Sequence, residues 1–251
     1  MKPFLLIQSR PEVDTSENEY QAFLDFGNLN PTQLVRRRCD QDSLAGINLD
    51  DYSGIFIGGG PFNMSDPADK KSDVQKRVEA ELFALLDQII ERDFPVLATC
   101  YGIGLVSAHQ GGRVSHRYGE QLDAVTITLN ERGSKDPLLN GLPEKFSAFV
   151  GHKEACEVLP DTAQLLASSI WCPVQMYKIK TNIYVSQFHP ELDSKGLETR
   201  IRAYKHHGYF PPEEADELIA MGYKKEVNEP QKIVANFVKL YARTESYAVP
   251  V

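Results

Sequence analysis

The stretch Phe94-Pro95-Val96-Leu97-Ala98-Thr99-Cys100-Tyr101-Gly102-Ile103-Gly104 decides the fold. Phe94-Pro95 closes a long helical segment, and Pro95 to Thr99 is an apolar run too short for a helix, so it reads as a buried strand. The chain then passes straight into Cys100-Tyr101-Gly102 and a helical segment over Leu105 to His109. Strand, sharp turn and helix in that order are the building unit of an α/β protein.

Working outward, Phe4 to Gln8, Leu34 to Arg38 and Gly54 to Ile57 also read as strands, the last running into Gly58-Gly59-Gly60-Pro61. Asp14 to Phe26 reads as a helix. A second helix is capped by Ser72 with Gln75 in capping-box position, and Val74, Val78, Leu82, Leu85, Leu86, Ile89 and Ile90 recur at helical spacing. Downstream the texture turns to strand, over Ala124 to Leu129, Phe146 to Val150, Gln164 to Ala167, Val174 to Ile179 and Ile183 to Gln187. After Pro190 helices are expected over Ser194 to Lys205, Glu213 to Met221 and Pro230 to Ala242. The pattern predicts an α/β sheet with an antiparallel portion, residues 1–192 forming the main domain and 193–251 a helical extension packed on it.

The chain has 251 residues, 42% hydrophobic and 25% charged, the balance of one large globular domain rather than a disordered or fibrous chain. Lys and Arg number 27 against 35 Asp and Glu, and the net charge of −8 gives no electrostatic basis for a nucleic-acid partner. No apolar run reaches the roughly 18 residues of a membrane span. Met1 to Gln8 turns polar too early for a signal peptide, so a cytoplasmic location without a membrane partner is expected. Cys39, Cys100, Cys156 and Cys172 form no disulfide pattern, and no Cys-x-x-Cys or His-x-x-x-His pair suggests a metal.

Three pieces carry chemistry. Cys100 sits on the strand-to-helix turn, where helix dipole and free N–H groups favour a thiolate, and Ala98 and Gly102 are small enough for the turn. His189, in Gln187-Phe188-His189-Pro190-Glu191, can take the thiol proton, and Glu191 can orient the imidazole. The glycines of Gly58-Gly59-Gly60-Pro61 can turn N–H groups toward a developing oxyanion, completed by the N–H of Tyr101. His116, His152, His206 and His207 are assigned to loops or solvated helix faces.

In this order, Gly59-Gly60-Pro61, Thr99-Cys100-Tyr101-Gly102 and Gln187-Phe188-His189-Pro190-Glu191 resemble the class I glutamine amidotransferases, and most of all the amidotransferase part of GMP synthetase and its stand-alone relatives. The resemblance covers about residues 4 to 192. It implies a flavodoxin-like three-layer sandwich with a mixed, mostly parallel sheet, extended here by the C-terminal helices. It also implies Cys100 as nucleophile, His189 as general base and acid, Glu191 as its orienting residue, and Gly60 and Tyr101 as oxyanion donors. Glutamine would be hydrolysed through a γ-glutamyl thioester without metal or organic cofactor. Gly59, Gly104 and the loop Gly151-His152-Lys153-Glu154 fall where the family holds its substrate.

The chain departs from the family pattern at Ala98, usually Gly, at Gly104, usually Gln, and at Gly151, usually Ser or Asn. Leu192 to Val251 is too short for a synthetase and has no Gly-x-x-x-x-Gly-Lys-Ser loop. A separate synthetase chain that accepts the ammonia is therefore expected, or else a γ-glutamyl peptidase or hydrolase that needs no partner. Two other readings differ in class. One is nucleotide binding at Gly102-Ile103-Gly104-Leu105-Val106-Ser107 with Asp123 at the ribose; the other is a non-catalytic member of the same fold.

Overall fold

The computed structural model describes residues 1–206 and 210–243. In chain order the elements are β1 (Phe4–Gln8), α1 (Val13–Gly27), β2 (Leu34–Arg38), β3 (Ile55–Ile57), α2 (Asp73–Arg92), β4 (Val96–Thr99), α3 (Tyr101–His109), β5 (Arg113–Ser115), β6 (Glu120–Leu129) and α4 (Glu131–Lys135). They continue with β7 (Lys145–His152), β8 (Ala155–Val158), β9 (Ala163–Ser168), β10 (Met176–Ile179), β11 (Ile183–Ser186), α5 (Ser194–Tyr204), α6 (Ala215–Lys224) and α7 (Gln231–Tyr241).

The main sheet has nine strands in the order β2-β1-β3-β4-β11-β10-β9-β6-β7. It is parallel from β2 to β11 and antiparallel from β11 outward. Alternation along β1 shows how the layers are built, because successive side chains of a strand point to opposite faces. Leu5 and Ile7 pack with Val78, Leu82 and Leu86 of α2 and with Ile103 and Val106 of α3. Phe4 and Leu6 pack with Phe23 and Leu24 of α1 and with Ile233, Val234 and Phe237 of α7. A central strand buried on both faces explains why Phe4-Leu5-Leu6-Ile7 is a continuous apolar run. The result is the three-layer, flavodoxin-like arrangement.

Helix α2 begins as its sequence predicts, the Ser72 hydroxyl accepting from the Gln75 N–H at 3.1 Å. Its apolar face starts one turn later than expected: Val74 is 41% exposed, and burial begins at Gln75 and Val78. The short antiparallel pair β5 and β8 is an addition that no alternation in Arg113-Val114-Ser115 announced. Over the antiparallel edge, Leu197 and Ile201 of α5 with Ala215 of α6 cover Ala124 and Phe149. No helix among the described residues is long and apolar enough to cross a membrane.

The last helix is built into the core. Phe237 is fully buried, with its ring 5.0 Å from Phe56, 6.0 Å from Phe4 and 4.9 Å from Tyr241. Phe237→Ala is expected to lower unfolding free energy by about 3–5 kcal/mol, as aromatic truncations in close-packed cores do. Urea denaturation checks this; a loss under about 1 kcal/mol would mean that α7 is only draped on the surface.

Candidate active site

Adjacent parallel strands deliver the three predicted pieces to one edge. Ile57 of β3 pairs with Ala98 of β4, and Thr99 pairs with Ser186 of β11, so residues 58–60, Cys100 and 187–191 all leave the sheet at its carboxyl ends. Arg10, just beyond β1, emerges at the same edge. Crevices at this edge of an open α/β sheet are where such folds place their sites.

Cys100 adopts φ +52° and ψ −97°, backbone that a side-chain-bearing residue rarely takes. Its N–H donates to Ser186 O at 2.8 Å and its carbonyl accepts from Ile103 N–H at 3.0 Å, which holds the turn against β11 and α3. The turn tolerates no bulk beneath it: a Cβ on Gly102 would lie 2.7 Å from Ala98 Cβ. The small residue expected at each flank is thus needed at Gly102, while Ala98 fits. Tyr101 and Gly102 open α3, where N–H groups have no acceptor within the helix. The Tyr101 side chain points into the core, edge-on to Phe62, so only its backbone is available to a ligand.

His189 is held from both sides. Its N–H donates to Phe149 O at 3.2 Å, and Ser186 Oγ–H donates to Phe188 O at 2.9 Å in the loop before it. Nδ1 lies 2.8 Å from Glu191 Oε1. Burial works against ionisation of Glu191, but His189 and Arg200 outweigh it and keep the carboxyl well below the usual carboxylate range. A carboxylate only accepts, so Nδ1 carries the proton and Nε2 is left for the thiol. Burial also opposes ionisation of Cys100, yet His189, then Arg10 and Arg200, hold the thiol below its ordinary value. For His189, burial disfavours the cation and Glu191 favours it; with Arg200 against and Cys100 in favour, the imidazole ends above its ordinary value. Thiolate and imidazolium support each other.

Two buried charges here were not anticipated. Arg10 Nε donates to Glu19 Oε1 at 3.0 Å and its Nη1 to Tyr204 Oη at 3.0 Å. Arg200 Nη2 donates to Glu191 Oε1 at 2.8 Å and lies 3.8 Å from Glu19 Oε1. The signal was present: Glu19 stands four residues before Phe23 on the buried stripe of α1, and Arg200 lies among Leu197, Ile201 and Tyr204 on that of α5. A charge in an apolar stripe demands a partner.

A cavity of about 310 Å³ opens above these groups. Cys100, His189, Gly60, Gly151, His152 and Lys153 line it, together with Arg10, Arg200, Leu122, Leu197, Ile201 and Phe210. Gly59 does not line it but lies against the reacting pair: a Cβ there would meet Arg10 Nη2 at 2.6 Å, His189 Cε1 at 2.8 Å and Cys100 Cβ at 3.3 Å. Gly104 is set away from it, and the space a side chain would need holds the Glu154 carboxylate, with Oε1 2.5 Å from the Cβ position. That carboxylate accepts from Met64 N–H and Ser65 N–H, both at 2.8 Å, and from Ser65 Oγ at 2.7 Å, so it fastens the loop after the glycines. At Gly151 a Cβ would strike Leu122 Cδ1 at 2.9 Å. The departures at positions 104 and 151 are therefore matched by what fills the space.

His152 corrects the expectation of a solvated ring. It closes β7 opposite Glu120 and is buried, with Nε2 2.9 Å from Glu120 Oε2 and Nδ1 2.9 Å from Glu154 O. His116 and His206 are exposed as expected, and His207 lies outside the described residues. Glu120, His152 and Cys172 bring ligand-type atoms within 4.8 Å of one another. Glu120 is already bonded to His152, Gln175 and Ser169. Burial, with the charge of Glu120 nearby, pushes the Cys172 thiol up to about 12, so this cluster works as a hydrogen-bonded brace for the substrate loop rather than a thiolate site. The nucleotide-binding turn also fails: residues 102–107 are buried inside α3, and Asp123 is on β6, separated from β4 by β11, β10 and β9.

Comparison with known proteins agrees with this arrangement. The family model for glutamine amidotransferase class-I matches residues 17–234. One of the two chains of the glutamine-hydrolyzing GMP synthase of Methanococcus maripaludis (strain C5) is 33% identical over 143 residues, 57% of this chain and 66% of that protein. The match thus spans just under two thirds of that relative's length. The protein of the same description from Thermoplasma acidophilum is 26% identical over 163 residues, 64% of this chain and 72% of its own. Among solved structures, a glutamine amidotransferase from Thermotoga maritima superposes with a TM-score of 0.77 at 15% identity, covering 97% of this chain and all of that one. The chain belongs to the class I glutamine amidotransferase family.

Gly59→Ala tests the packing of the site. Its Cβ would force apart Arg10, His189 and Cys100, and alkylation of Cys100 by iodoacetamide at neutral pH is expected to slow at least about tenfold, the loss of one misaligned general base. An unchanged rate would show that the pair does not depend on this close approach.

Proposed function

We propose that the chain is a glutaminase: it hydrolyses the side-chain amide of glutamine to glutamate and ammonia, with Cys100 as nucleophile, His189 as proton carrier and Glu191 as its orienting carboxylate. The observation that carries the reading is the strained turn that presents Cys100 to an imidazole whose far nitrogen is bonded to Glu191. The thiolate attacks the γ-carbonyl carbon. The oxyanion is met by N–H groups of Gly60 and Tyr101, and collapse expels the amide nitrogen, which takes a proton from His189 Nε2 and leaves as ammonia. Water, giving up a proton to the now neutral imidazole, attacks the thioester; glutamate leaves and the thiolate returns beside the imidazolium. Gly151, His152 and Lys153 line the cavity at a distance from the chemistry suited to the glutamyl head, and Gly59 and Gly104 serve by leaving room.

The relatives are described as single subunits of a glutamine-hydrolyzing GMP synthase, which supports a separate chain as acceptor of the ammonia. A nucleophilic thiol needs a reducing compartment, in keeping with a cytoplasmic location. One observation favours a second reading, a γ-glutamyl hydrolase without a partner. Glu154 fills the place beside Gly104, and the cavity continues to an apolar wall of Leu122, Leu197, Ile201 and Phe210 that can accept a leaving group larger than ammonia.

Glutamate release from glutamine, coupled to a dehydrogenase assay, decides between them. Loss of at least about 10³-fold in Cys100→Ala is expected, the scale of removing a nucleophile; equal rates in both proteins would end the proposal. No turnover of glutamine but Cys100-dependent turnover of γ-glutamyl dipeptides would select the second reading. The pH profile of kcat/KM is expected to be a bell. Its acid limb should fall where the lowered thiol gains a proton, below the free-thiol value of about 8.5, and its alkaline limb where the raised imidazolium loses one, above about 6.5. A single rise centred at or above the free-thiol value would contradict the ion pair.

A further inference from the structure

We propose that Arg200, carried on α5, is a positioning residue for the catalytic set: its Nη2, 2.8 Å from Glu191 Oε1, holds the carboxylate oxygen that also receives His189 Nδ1–H at 2.8 Å. The helical extension would then complete the active site as well as cover it. This inference rests on the reading of Cys100, His189 and Glu191 given above.

The geometry is specific. Both bonds converge on one oxygen, and Glu191 Oε2 is buried with no hydrogen-bond partner among the described residues. The carboxylate orientation is therefore set by Arg200 on one side and the imidazole on the other. Arg200 is itself buried, and its Nε and Nη1 have no partner among the described residues. Stability alone does not account for such a residue, since a buried guanidinium left partly unbonded is destabilising and an apolar side chain would pack at least as well among Leu197, Ile201 and Tyr204. What the arrangement provides is a fixed charge beside the triad. The charged and titratable groups around it are Glu191 and His189 from the loop after β11, Cys100 from the turn after β4, Glu19 on α1, Arg10 after β1 and Tyr204 on α5 itself. Arg10 and Arg200 face Glu19 from two sides, at 3.0 and 3.8 Å, so α1 fixes the place of the helix that brings Arg200.

The sign of the effect follows from charge. Arg200 favours the Cys100 thiolate and opposes the His189 imidazolium, so removing its charge moves both titrations to higher pH. The test is the pH dependence of Cys100 alkylation by iodoacetamide, located by mass spectrometry, in the full chain, Arg200→Gln and Arg200→Lys, with thermal unfolding measured alongside. The acid midpoint is expected to rise by about one pH unit in Arg200→Gln, within the range for a unit charge removed at this separation. On the acid limb this is an approximately tenfold slower alkylation. Arg200→Lys, which keeps charge but is shorter and makes a single contact, is expected to fall between wild type and Gln. A purely structural role would lower the unfolding temperature and leave the midpoint in place, and that result in a folded Gln variant overturns the proposal. Should Arg200→Gln fail to fold, Arg200→Lys decides alone, an unmoved midpoint overturning it. Alkylation needs no turnover, so a shifted midpoint without glutaminase activity would sink the substrate reading and leave this one standing.

Discussion

The whole site depends on one backbone constraint: the chain must turn from β4 into α3 within a single residue, and that residue is Cys100 at φ +52°. Left-handed backbone in a residue with a Cβ persists only where the surroundings over-determine it. Here they do. The Cys100 N–H is tied to β11, its carbonyl to the first turn of α3, and Gly102 and Ala98 leave no alternative space beneath it. The strain places the sulfur above the sheet edge at a helix N-terminus, while the same β11 that anchors the turn ends in the loop bearing His189. Nucleophile and base are thus neighbours because their strands are neighbours.

Around that turn the charges form a chain rather than isolated pairs. Cys100 and His189 share a proton, His189 leans on Glu191, Glu191 is gripped by Arg200, and Arg200 and Arg10 share Glu19. Burial of each member alone would neutralise it; burial of the set makes each charge the reason for the next. Elements far apart in sequence therefore enter the chemistry together: β1, α1, β4, β11 and α5 each contribute one member.

Much of this was legible in the sequence, for identifiable reasons. Short apolar runs marked the central strands because strands buried on both faces need no alternation, and Ser72 with the Val78 to Ile89 spacing marked α2. Cys100, His189 and Glu191 were legible because their motifs constrain the local backbone: a turn with small flanks, and a proline-fixed loop. Arg200 and Arg10 were not, since no local pattern says which surface charge will be carried inward; that depends on how α5 and α1 pack. His152 was misread for the same reason, its partner Glu120 being remote in sequence and adjacent only through the pairing of β6 with β7. The replacement of a side chain at Gly104 by Glu154 is likewise a tertiary event. It joins positions fifty residues apart.

The most direct test of the account is titration of thiolate ultraviolet absorbance in the resting protein, taken as the difference between wild type and Cys100→Ser. If the sulfur is an anion paired with the His189 imidazolium, the difference should show one thiolate already formed well below the free-thiol value of about 8.5, and the signal should move up to that value in His189→Gln. A transition at or above the free-thiol value in wild type, unmoved by loss of the imidazole, would contradict it.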